Sequence, residues 1–271
     1  MNRTIRIAAA LCALGALAGA AHAQQPNSTI QEIEKYRAAL GDGNPAELWE
    51  MRGEELWKAK RGPKKESLEK CDLGLGPGVV KGAYTMMPRY FADSGRVEDL
   101  ESRLVTCMVN LQGFTPAEAK KDPFGGPGKK VPMDALVAYV TSQSRGMPMK
   151  VAANHPKEQE AYDVGKKIFY FRGGPHDFSC ASCHGVDNQR IRLQDLPNLT
   201  KNPGDGVGFA AWPAYRVSNG QMWSMQLRLN DCYRQQRFPY PEFGSDALTA
   251  LSTYLGVNAQ GAKSVAPAIK R

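Results

Sequence analysis

Apolar side chains recur at helical rather than strand spacing along this chain. Tyr162, Ile168 and Phe169 lie at helical intervals, and residues 247–255 repeat the same period. Residues 115–118, Thr-Pro-Ala-Glu, combine a capping box with proline at the first helical position, which predicts a helix start. No segment sustains the two-residue alternation of a half-buried strand. The pattern predicts a mainly α fold without a substantial sheet.

The sequence repeats four landmarks in the same order, one of them an arginine with a cysteine four residues later, which indicates an internal duplication. The matching residues are Gly53 and Gly165, Cys71 and Cys180, Arg103 and Arg228, Cys107 and Cys232, and Asp134 and Asp246. We expect two related domains at 45–150 and 151–260, with a linker at 144–156. Residues 24–44 and the tail at 261–271 are expected to be peripheral.

The first 23 residues have the pattern of an export signal. Arg3 and Arg6 precede an apolar stretch at 7–20 that is short for a bilayer span, and residues 21–23, Ala-His-Ala, match a cleavage site. We therefore expect a periplasmic protein with no membrane span in the mature chain, in a compartment where disulfides persist. An uncleaved N-terminal anchor is the alternative.

The formal charge of the full chain is +8, with the lysines scattered along the sequence. Scattered lysines without interleaved aromatic residues argue against a nucleic-acid partner. A mild positive field favours a small anionic substrate or an acidic protein partner. Ordinary solvated surface charge explains the same count, so the charge decides nothing by itself.

Residues 180–184, Cys-Ala-Ser-Cys-His, form the most specific motif in the chain. Two cysteines at this spacing with a histidine directly after them are the attachment signature of haem c. The thiols of Cys180 and Cys183 would bond the porphyrin, and His184 would reach the iron. A zinc or redox pair is the alternative for the two cysteines. The adjacent histidine and the export signal favour one covalently attached haem c and two cytochrome-c-like domains.

The first half lacks this motif, because Gly74 and Leu75 stand where the second cysteine and the histidine would be. We therefore expect the first domain to have lost its haem. Cys71 and Cys107 remain there, and in an oxidising compartment we predict that they form a disulfide. Closing this loop should stabilise the fold by about 3–4 kcal/mol. Two free buried cysteines are the alternative.

Cys232 is left without a partner, and an odd cysteine in an exported protein requires an explanation. One explanation is that its sulfur binds the haem iron opposite His184. A thiolate ligand there would lower the reduction potential of the haem, whereas a methionine ligand would raise it. Met222 and Met225 are the competing ligands, and an open or different sixth position is a third alternative. The positions in the sequence do not decide between them.

Arg228 precedes Cys232 by four residues, so a helix would place both on one face. A guanidinium there would lower the pKa of the thiol and bind an oxyanion at two points. The equal alternative is that Arg228 lies at the surface or forms an ion pair with a haem propionate. Three weaker predictions concern other residues. Arg234 and Arg237 would add positive charge, and His155 and His176 would be structural or exposed to solvent. Trp212, Tyr215 and Trp223 would pack against the haem.

Together these motifs resemble the SoxA family of the sulfur-oxidising Sox system. The resemblance rests on Cys-Ala-Ser-Cys-His-Gly at 180–185 and Arg-Leu-Asn-Asp-Cys-Tyr-Arg-Gln-Gln-Arg-Phe at 228–238. In the first half it rests on Gly-Ala-Tyr-Thr-Met-Met-Pro-Arg-Tyr-Phe at 82–91 and Arg-Leu-Val-Thr-Cys-Met at 103–108. It covers nearly the whole mature chain. The first half departs from two-haem members and resembles the single-haem branch.

The resemblance implies an L-cysteine S-thiosulfotransferase. Family members couple thiosulfate oxidatively to a cysteine of the SoxYZ carrier protein, giving S-thiosulfonate cysteine, and pass two electrons to c-type cytochrome. They act as a heterodimer with the cytochrome SoxX. The resemblance further implies that Cys232 is both haem ligand and persulfide-modified nucleophile, that Arg228 binds substrate and that His184 is the other axial ligand. The competing function is a plain electron-transfer cytochrome, with a methionine ligand and no need for Cys232.

Overall fold

The structure is a computed structural model that describes residues 35, 43–121, 132–191, 194–201 and 207–270. Asn44–Arg271 forms one compact unit, and the fold is described within it. The predicted signal sequence at 1–23 and nearly all of the predicted arm at 24–44 lie outside the described residues. Within the described ranges, no helix is both long enough and apolar enough to cross a bilayer.

The first half is built from short helices around one antiparallel hairpin. Its elements are α1 (Ala46–Lys58), a 3-10 turn (Ala83–Met86), β1 (Arg89–Phe91), β2 (Arg96–Glu98), α2 (Leu100–Cys107), α3 (Pro116–Lys121) and α4 (Pro132–Ser142). A π-helical turn at Met108–Gln112 continues α2. The backbone N–H of Thr115 donates to Glu118 at 2.8 Å, and that of Glu118 donates to Thr115 Oγ1 at 3.2 Å. These bonds confirm the capping box at the start of α3.

The second half repeats the helical character and adds a three-stranded sheet. Its elements are α5 (Pro156–Tyr170), α6 (Cys180–His184), β3 (Arg190–Ile191), β4 (Gln194–Asp195), α7 (Val207–Ala210), β5 (Ala214–Arg216), β6 (Gln221–Trp223), α8 (Met225–Gln236), α9 (Asp246–Asn258) and β7 (Ala268–Lys270). The helices predicted around Tyr162 and at 247–255 lie within α5 and α9. The mainly α prediction is confirmed.

Each half contains a helix pair that meets at a glycine. A Cβ added to Gly53 on α1 would collide with the carbonyl oxygen of Ala135 on α4. A Cβ added to Gly165 on α5 would collide in the same way with the carbonyl oxygen of Ala250 on α9. Only glycine allows these backbones to approach so closely, because any other side chain would push the helices apart.

We expect Gly53→Ala to lower the free energy of unfolding by about 1–3 kcal/mol, because the new methyl group overpacks the contact between α1 and α4. Denaturant unfolding of the haem-loaded protein would measure the loss. Glu55→Ala on the exposed side of α1 is the control and should change stability by less than about 0.5 kcal/mol. Equal stabilities for the two variants would contradict the close contact.

The segment after α4 and the C-terminal tail hydrogen-bond to each other. Met149 N donates to Ala262 O, and Ser264 N donates to Met147 O, both at 2.8 Å. Farther along, β7 pairs in parallel with β5, so the sheet order is β6-β5-β7. The expectation of a peripheral tail is therefore wrong. Buried backbone groups need partners, and in the tail they find them in the 144–156 segment and in β5.

The start of α8 is anchored to the first half by buried polar contacts. Gln226 N donates to Glu101 Oε1 at 3.0 Å, and Gln226 Nε2 donates to Asp99 Oδ2 at 2.6 Å. Nearby, the hydroxyl of Tyr84 donates to Trp212 O at 2.5 Å. Because α8 carries both Arg228 and Cys232, these contacts fix the position of the predicted site relative to the first half.

Candidate active site

One short helix, α6, carries the two motif cysteines and the histidine. Ser179 caps it, since its Oγ accepts from the backbone N–H of Ser182 at 3.2 Å. In return, Ser182 Oγ accepts from the N–H of Ser179 at 3.0 Å. This reciprocal capping stabilises a helix of one turn that would be marginal alone. Cys180, Cys183 and His184 are thereby presented together.

The ring of His184 is oriented by the chain that follows α6. Its Nδ1 lies 3.0 Å from Pro197 O, and as the protonated nitrogen it donates to that carbonyl. This bond leaves Nε2 with its lone pair available to a metal. Burial lowers the pKa of His184, and the charge of Arg228 adds to this effect against the opposing bond to Pro197. The imidazole is therefore neutral, as a ligand must be.

The thiols of Cys180, Cys183 and Cys232 are not in disulfides and lie close enough to interact electrostatically. Burial raises the pKa of Cys180 to about 12, with the charge of Cys232 as the second cause. The same two causes raise the pKa of Cys183. The structure thus brings the sulfur of α8 to the motif helix.

An open pocket of about 480 Å³ adjoins Cys180. Its walls are mainly apolar and aromatic and include Ile168, Phe171, Tyr233, Phe238 and Tyr240. A pocket of this size and lining is typical of a cofactor site. Two thiols, a neutral imidazole with a free Nε2 and an apolar pocket fit covalently bound haem c.

Met222 and Met225, the competing ligands, both pack toward the first half. Met222 is fully buried in a small cluster with Ala46 and Ala138. Met225 lines a small buried space beside Tyr84 and Glu101. Among the described residues, neither the small cluster around Met222 nor the small space beside Met225 is lined by α6.

Arg228 lies on the same helix as Cys232, four residues earlier, and is held from two sides. Its Nη1 donates to Asp231 Oδ2 at 3.0 Å, and its guanidinium lies 5.7 Å from the ring centroid of Trp212. Arg234 donates to the other oxygen of Asp231 at 2.6 and 2.9 Å. The side chain of Arg228 remains 21% exposed, so it is oriented but still accessible.

The corresponding arginine of the first half has a different environment. Arg103 is only 3% exposed, and its Nη1 pairs with Asp93 at 2.9 Å and Glu98 at 3.3 Å. Its Nε donates to Asp72 O at 2.6 Å. Arg103 is therefore neutralised inside the fold, whereas the arginine at the same spacing in the second half reaches solvent.

The other residues singled out from the sequence lie as follows. His155 caps α5 through Nδ1, at 3.2 Å from Lys157 N, and stacks on Tyr90 at 3.9 Å. The ring of His176 lies 5.8 Å from that of Phe178. Arg237 is exposed at the C-terminal end of α8, and Tyr215 packs against the cluster around Met222.

Sequence reasoning missed Arg216 on β5. Its guanidinium lies 5.2 Å from the ring centroid of Trp223 on β6. Burial lowers the pKa of Arg216, and the charge of Arg228 is the second cause, with Asp231 and Cys232 opposing. Arg216 and Trp223 are diagonal neighbours on one hairpin face, because Ala214 pairs with Trp223. Alternate residues of a strand share one face, so pairing residues 214–216 with 221–223 in a hairpin would have placed Arg216 beside Trp223.

Cys71 and Cys107 are joined by a disulfide, with Cα atoms 5.6 Å apart. They are the two cysteines that the repeat predicted from the sequence pairs with Cys180 and Cys232. Gly74 has φ of +97°, a backbone conformation that favours glycine. The first half therefore contains a disulfide, whereas Cys180, Cys183 and Cys232 of the second half are free thiols.

Two buried carboxyl groups, Asp99 and Glu101, accept hydrogen bonds from Gln226 at the start of α8, and the pKa of each is raised. Burial is the main cause that raises the pKa of Glu101 to about 7, and the charge of Asp99 adds to it. An ordinary glutamate titrates near 4.5. The folded protein therefore keeps a proton that the unfolded chain releases, and the resulting stability is complete below about pH 4.5 and is lost as the pH rises through 7.

We expect the free energy of unfolding of the haem-loaded protein to fall between pH 4.5 and 7, and Glu101→Gln to reduce this fall. Glutamine keeps an oxygen that can accept from Gln226 N but cannot ionise. Denaturant titrations across this pH range would measure the slope, with the exposed Glu55→Gln as the control. A slope that is unchanged in Glu101→Gln would show that another group is responsible.

The capped Cys-x-x-Cys-His helix, the neutral histidine and the adjoining apolar pocket define a c-type cytochrome. A family model described as the SoxA/TsdA cytochrome c domain matches residues 52–149. The chain is 53% identical to the L-cysteine S-thiosulfotransferase subunit SoxA of Hydrogenophilus thermoluteolus over the full length of both. A protein of the same name from Hydrogenobacter thermophilus is 35% identical, over 95% of this chain and 96% of that one.

A solved structure agrees with these sequence relatives. The crystal structure of SoxXA from P. pantotrophus superposes with a TM-score of 0.71 at 25% identity, over 88% of this chain and 84% of that chain. The chain belongs to the SoxA family, and the cytochrome c domain implies covalently bound haem c.

Proposed function

We propose that this chain, an L-cysteine S-thiosulfotransferase, joins thiosulfate to a cysteine of a SoxYZ-type carrier protein and gives S-thiosulfonate cysteine. Thiosulfate is a dianion and the carrier thiolate is a monoanion, so the reactants carry three negative charges. The product carries a single negative charge, and the two remaining electrons leave to c-type cytochrome. The observation that carries the proposal is the position of Cys232, on the same helix face as Arg228 and beside the haem-attachment thiols.

The site lies in the second of two duplicated cytochrome-c-like domains, 45–150 and 151–260, of which the first has lost its haem. The equivalent glycine contacts at Gly53 and Gly165 support the duplication. The cytochrome c family model matches 52–149, the half without a Cys-x-x-Cys-His motif, which supports a lost haem. The disulfide at the corresponding positions also supports this loss. One haem c per chain follows.

Cys180 and Cys183 would attach this haem, and His184, through Nε2, and Cys232 would be the residues that ligate its iron. The packing of Met222 and Met225 toward the first half supports Cys232 over either methionine. The electrostatic coupling of Cys232 to both motif thiols supports it as well. When bound, the haem supplies an exit for single electrons beside the reacting sulfur.

The protein side chains bind the substrate and divide the reaction into two steps. Arg228 binds the sulfonate oxygens of thiosulfate, and its bond to Asp231 fixes the direction of the guanidinium. In the first step the sulfur of Cys232, free or as a persulfide, forms a bond to the outer sulfur of thiosulfate while two electrons leave to c-type cytochrome. In the second step the carrier thiolate attacks that outer sulfur and releases the sulfur of Cys232 as the leaving group. Each step forms one sulfur–sulfur bond, and Cys232 is regenerated in the second.

The partners and location follow from the same family membership. A SoxX-type cytochrome forms a heterodimer with this chain and receives the electrons, and a downstream c-type cytochrome accepts them. The likeness to the SoxXA structure supports this pairing. The export pattern at 1–23 supports a periplasmic location, where haem c is attached and the carrier would be met.

The test combines the haem-loaded chain, its partner cytochrome, thiosulfate, reduced carrier protein and an oxidised cytochrome acceptor. We expect two electrons to reach the acceptor for each carrier cysteine that gains the mass of a bonded thiosulfate. A carrier whose cysteine is replaced by serine is the control and should give neither signal. Cytochrome reduction without a mass change on the carrier would favour the plain electron-transfer function.

A further inference from the structure

We propose that Arg216 supplies a second guanidinium to the anion site, so that Arg216 and Arg228 together bind the sulfonate group of thiosulfate beside Cys232. The inference deepens the proposed function and rests on it. The ligand class is a small tetrahedral oxyanion of sulfur, with several oxygens available to two guanidinium groups.

Each of the two arginines is held by a tryptophan ring. Arg216 on β5 lies over Trp223 at 5.2 Å, and Arg228 on α8 lies over Trp212 at 5.7 Å. An aromatic face stabilises a cation while leaving the N–H edge of the guanidinium available. The two stacks therefore orient two planar donor groups without using their donors.

Arg216 has a buried donor without a partner. Its Nε is inaccessible to solvent and has no hydrogen-bond partner in the part of the chain that the structure describes. Among the described residues, no ion pair is formed by its guanidinium, unlike that of Arg228 with Asp231. Leaving a buried charged donor unsatisfied costs free energy, which an acceptor brought by a ligand would recover.

The acid that acts on both arginines is already shared among several donors. Asp231 accepts from Arg228, Arg234 and Gln235. The charge of Arg228 lowers the pKa of Arg216, and the charges of Asp231 and Cys232 oppose this effect. A dianion placed between the two guanidinium groups would also oppose this effect of Arg228, and such charge-assisted hydrogen bonds are the strong ones.

A haem propionate is the other acceptor of suitable chemistry, and the experiment separates the two. Thiosulfate and sulfate would each be titrated by calorimetry into the haem-loaded protein, with the haem reduction potential recorded for every variant. The variants are Arg216→Gln, Arg216→Lys, and Arg190→Gln as the control. Arg190 is 59% exposed on β3, so its replacement removes the same charge outside the site.

We expect Arg216→Gln to raise the Kd for thiosulfate by about tenfold or more, the loss typical of a charge-assisted hydrogen bond. In turnover, KM should rise far more than kcat falls. Arg216→Lys should recover part of the affinity, because it restores the charge without the planar donors. Arg190→Gln should match the wild-type protein.

An unchanged Kd in Arg216→Gln would overturn the proposal, and an unchanged Kd with a shifted haem potential would assign Arg216 to a propionate instead. A protein that binds sulfate through Arg216 but discriminates against thiosulfate would support the anion site and count against the proposed function. Failure of the wild-type protein to bind either anion would overturn both.

Discussion

Cys232→Ser is expected to stop the coupling of thiosulfate to the carrier protein, lowering turnover by about a thousandfold or more. Serine keeps the size of the side chain but cannot form the sulfur–sulfur bond on which the proposed reaction depends. Haem should remain attached, because Cys180 and Cys183 are untouched. The rate of modified carrier formation measures the loss, and the haem absorbance of the same sample measures cofactor content.

Met225→Leu is the matched control for this substitution. Met225 lies on the same helix, in the buried space beside Tyr84 and Glu101, and leucine preserves its volume. We expect nearly full activity. The opposite pattern, an active Cys232→Ser protein and an inactive Met225→Leu protein, would reverse the assignment of the iron ligand and leave an electron-transfer cytochrome.

The double substitution Cys71→Ala/Cys107→Ala is expected to cost about 4 kcal/mol of stability. The two cysteines are 36 residues apart, and releasing a loop of this length returns that much chain entropy to the unfolded state. For a protein of this size the midpoint of thermal unfolding should fall by about 10 °C. Circular dichroism melts of the haem-loaded protein would measure it.

The haem absorbance and the turnover of this double variant at low temperature provide the control. Both should be retained, since α6 and the α5–α9 pair lie in the other half of the chain. An unchanged melting temperature would mean that the disulfide does not constrain the unfolded chain. Loss of haem at low temperature would mean that the first half has a direct role in holding the cofactor.

Local features of the fold were predictable because their determinants are local. The capping box at Thr115, the helices around Tyr162 and Leu251, and the haem motif each depend on residues within one or two turns of one another. The matched glycines of the two halves were visible as a repeat. Their physical reason, a backbone contact with the facing helix, required the structure.

Two features that depend on distant partners were not predictable. The strand β7 has three residues and pairs with β5, more than fifty residues earlier, so no periodicity reveals it. The sequence left Met222 and Met225 as competitors of Cys232 for the iron. Met222 on β6 and Met225 on α8 pack toward the first half, which spacing along the chain cannot show.

Within the site, the sequence singled out Arg228 but could not distinguish it from Arg103, which has the same spacing to a cysteine. The difference lies in the surrounding acids. Arg103 is enclosed by Asp93 and Glu98, whereas Arg228 shares Asp231 with Arg234 and stays accessible. Arg216 escaped notice because its neighbour Trp223 is on the adjacent strand of a short hairpin.

Mass mapping of the peptide that contains Cys232 tests most directly whether its sulfur exchanges bonds with the substrate. The haem-loaded protein would be mixed with thiosulfate whose outer sulfur is isotopically labelled and with oxidised cytochrome acceptor, first without carrier and then with it. We expect the label on Cys232 in the first sample and on the carrier cysteine in the second. Efficient labelling of the carrier with a peptide at Cys232 that never acquires the label would contradict the mechanism.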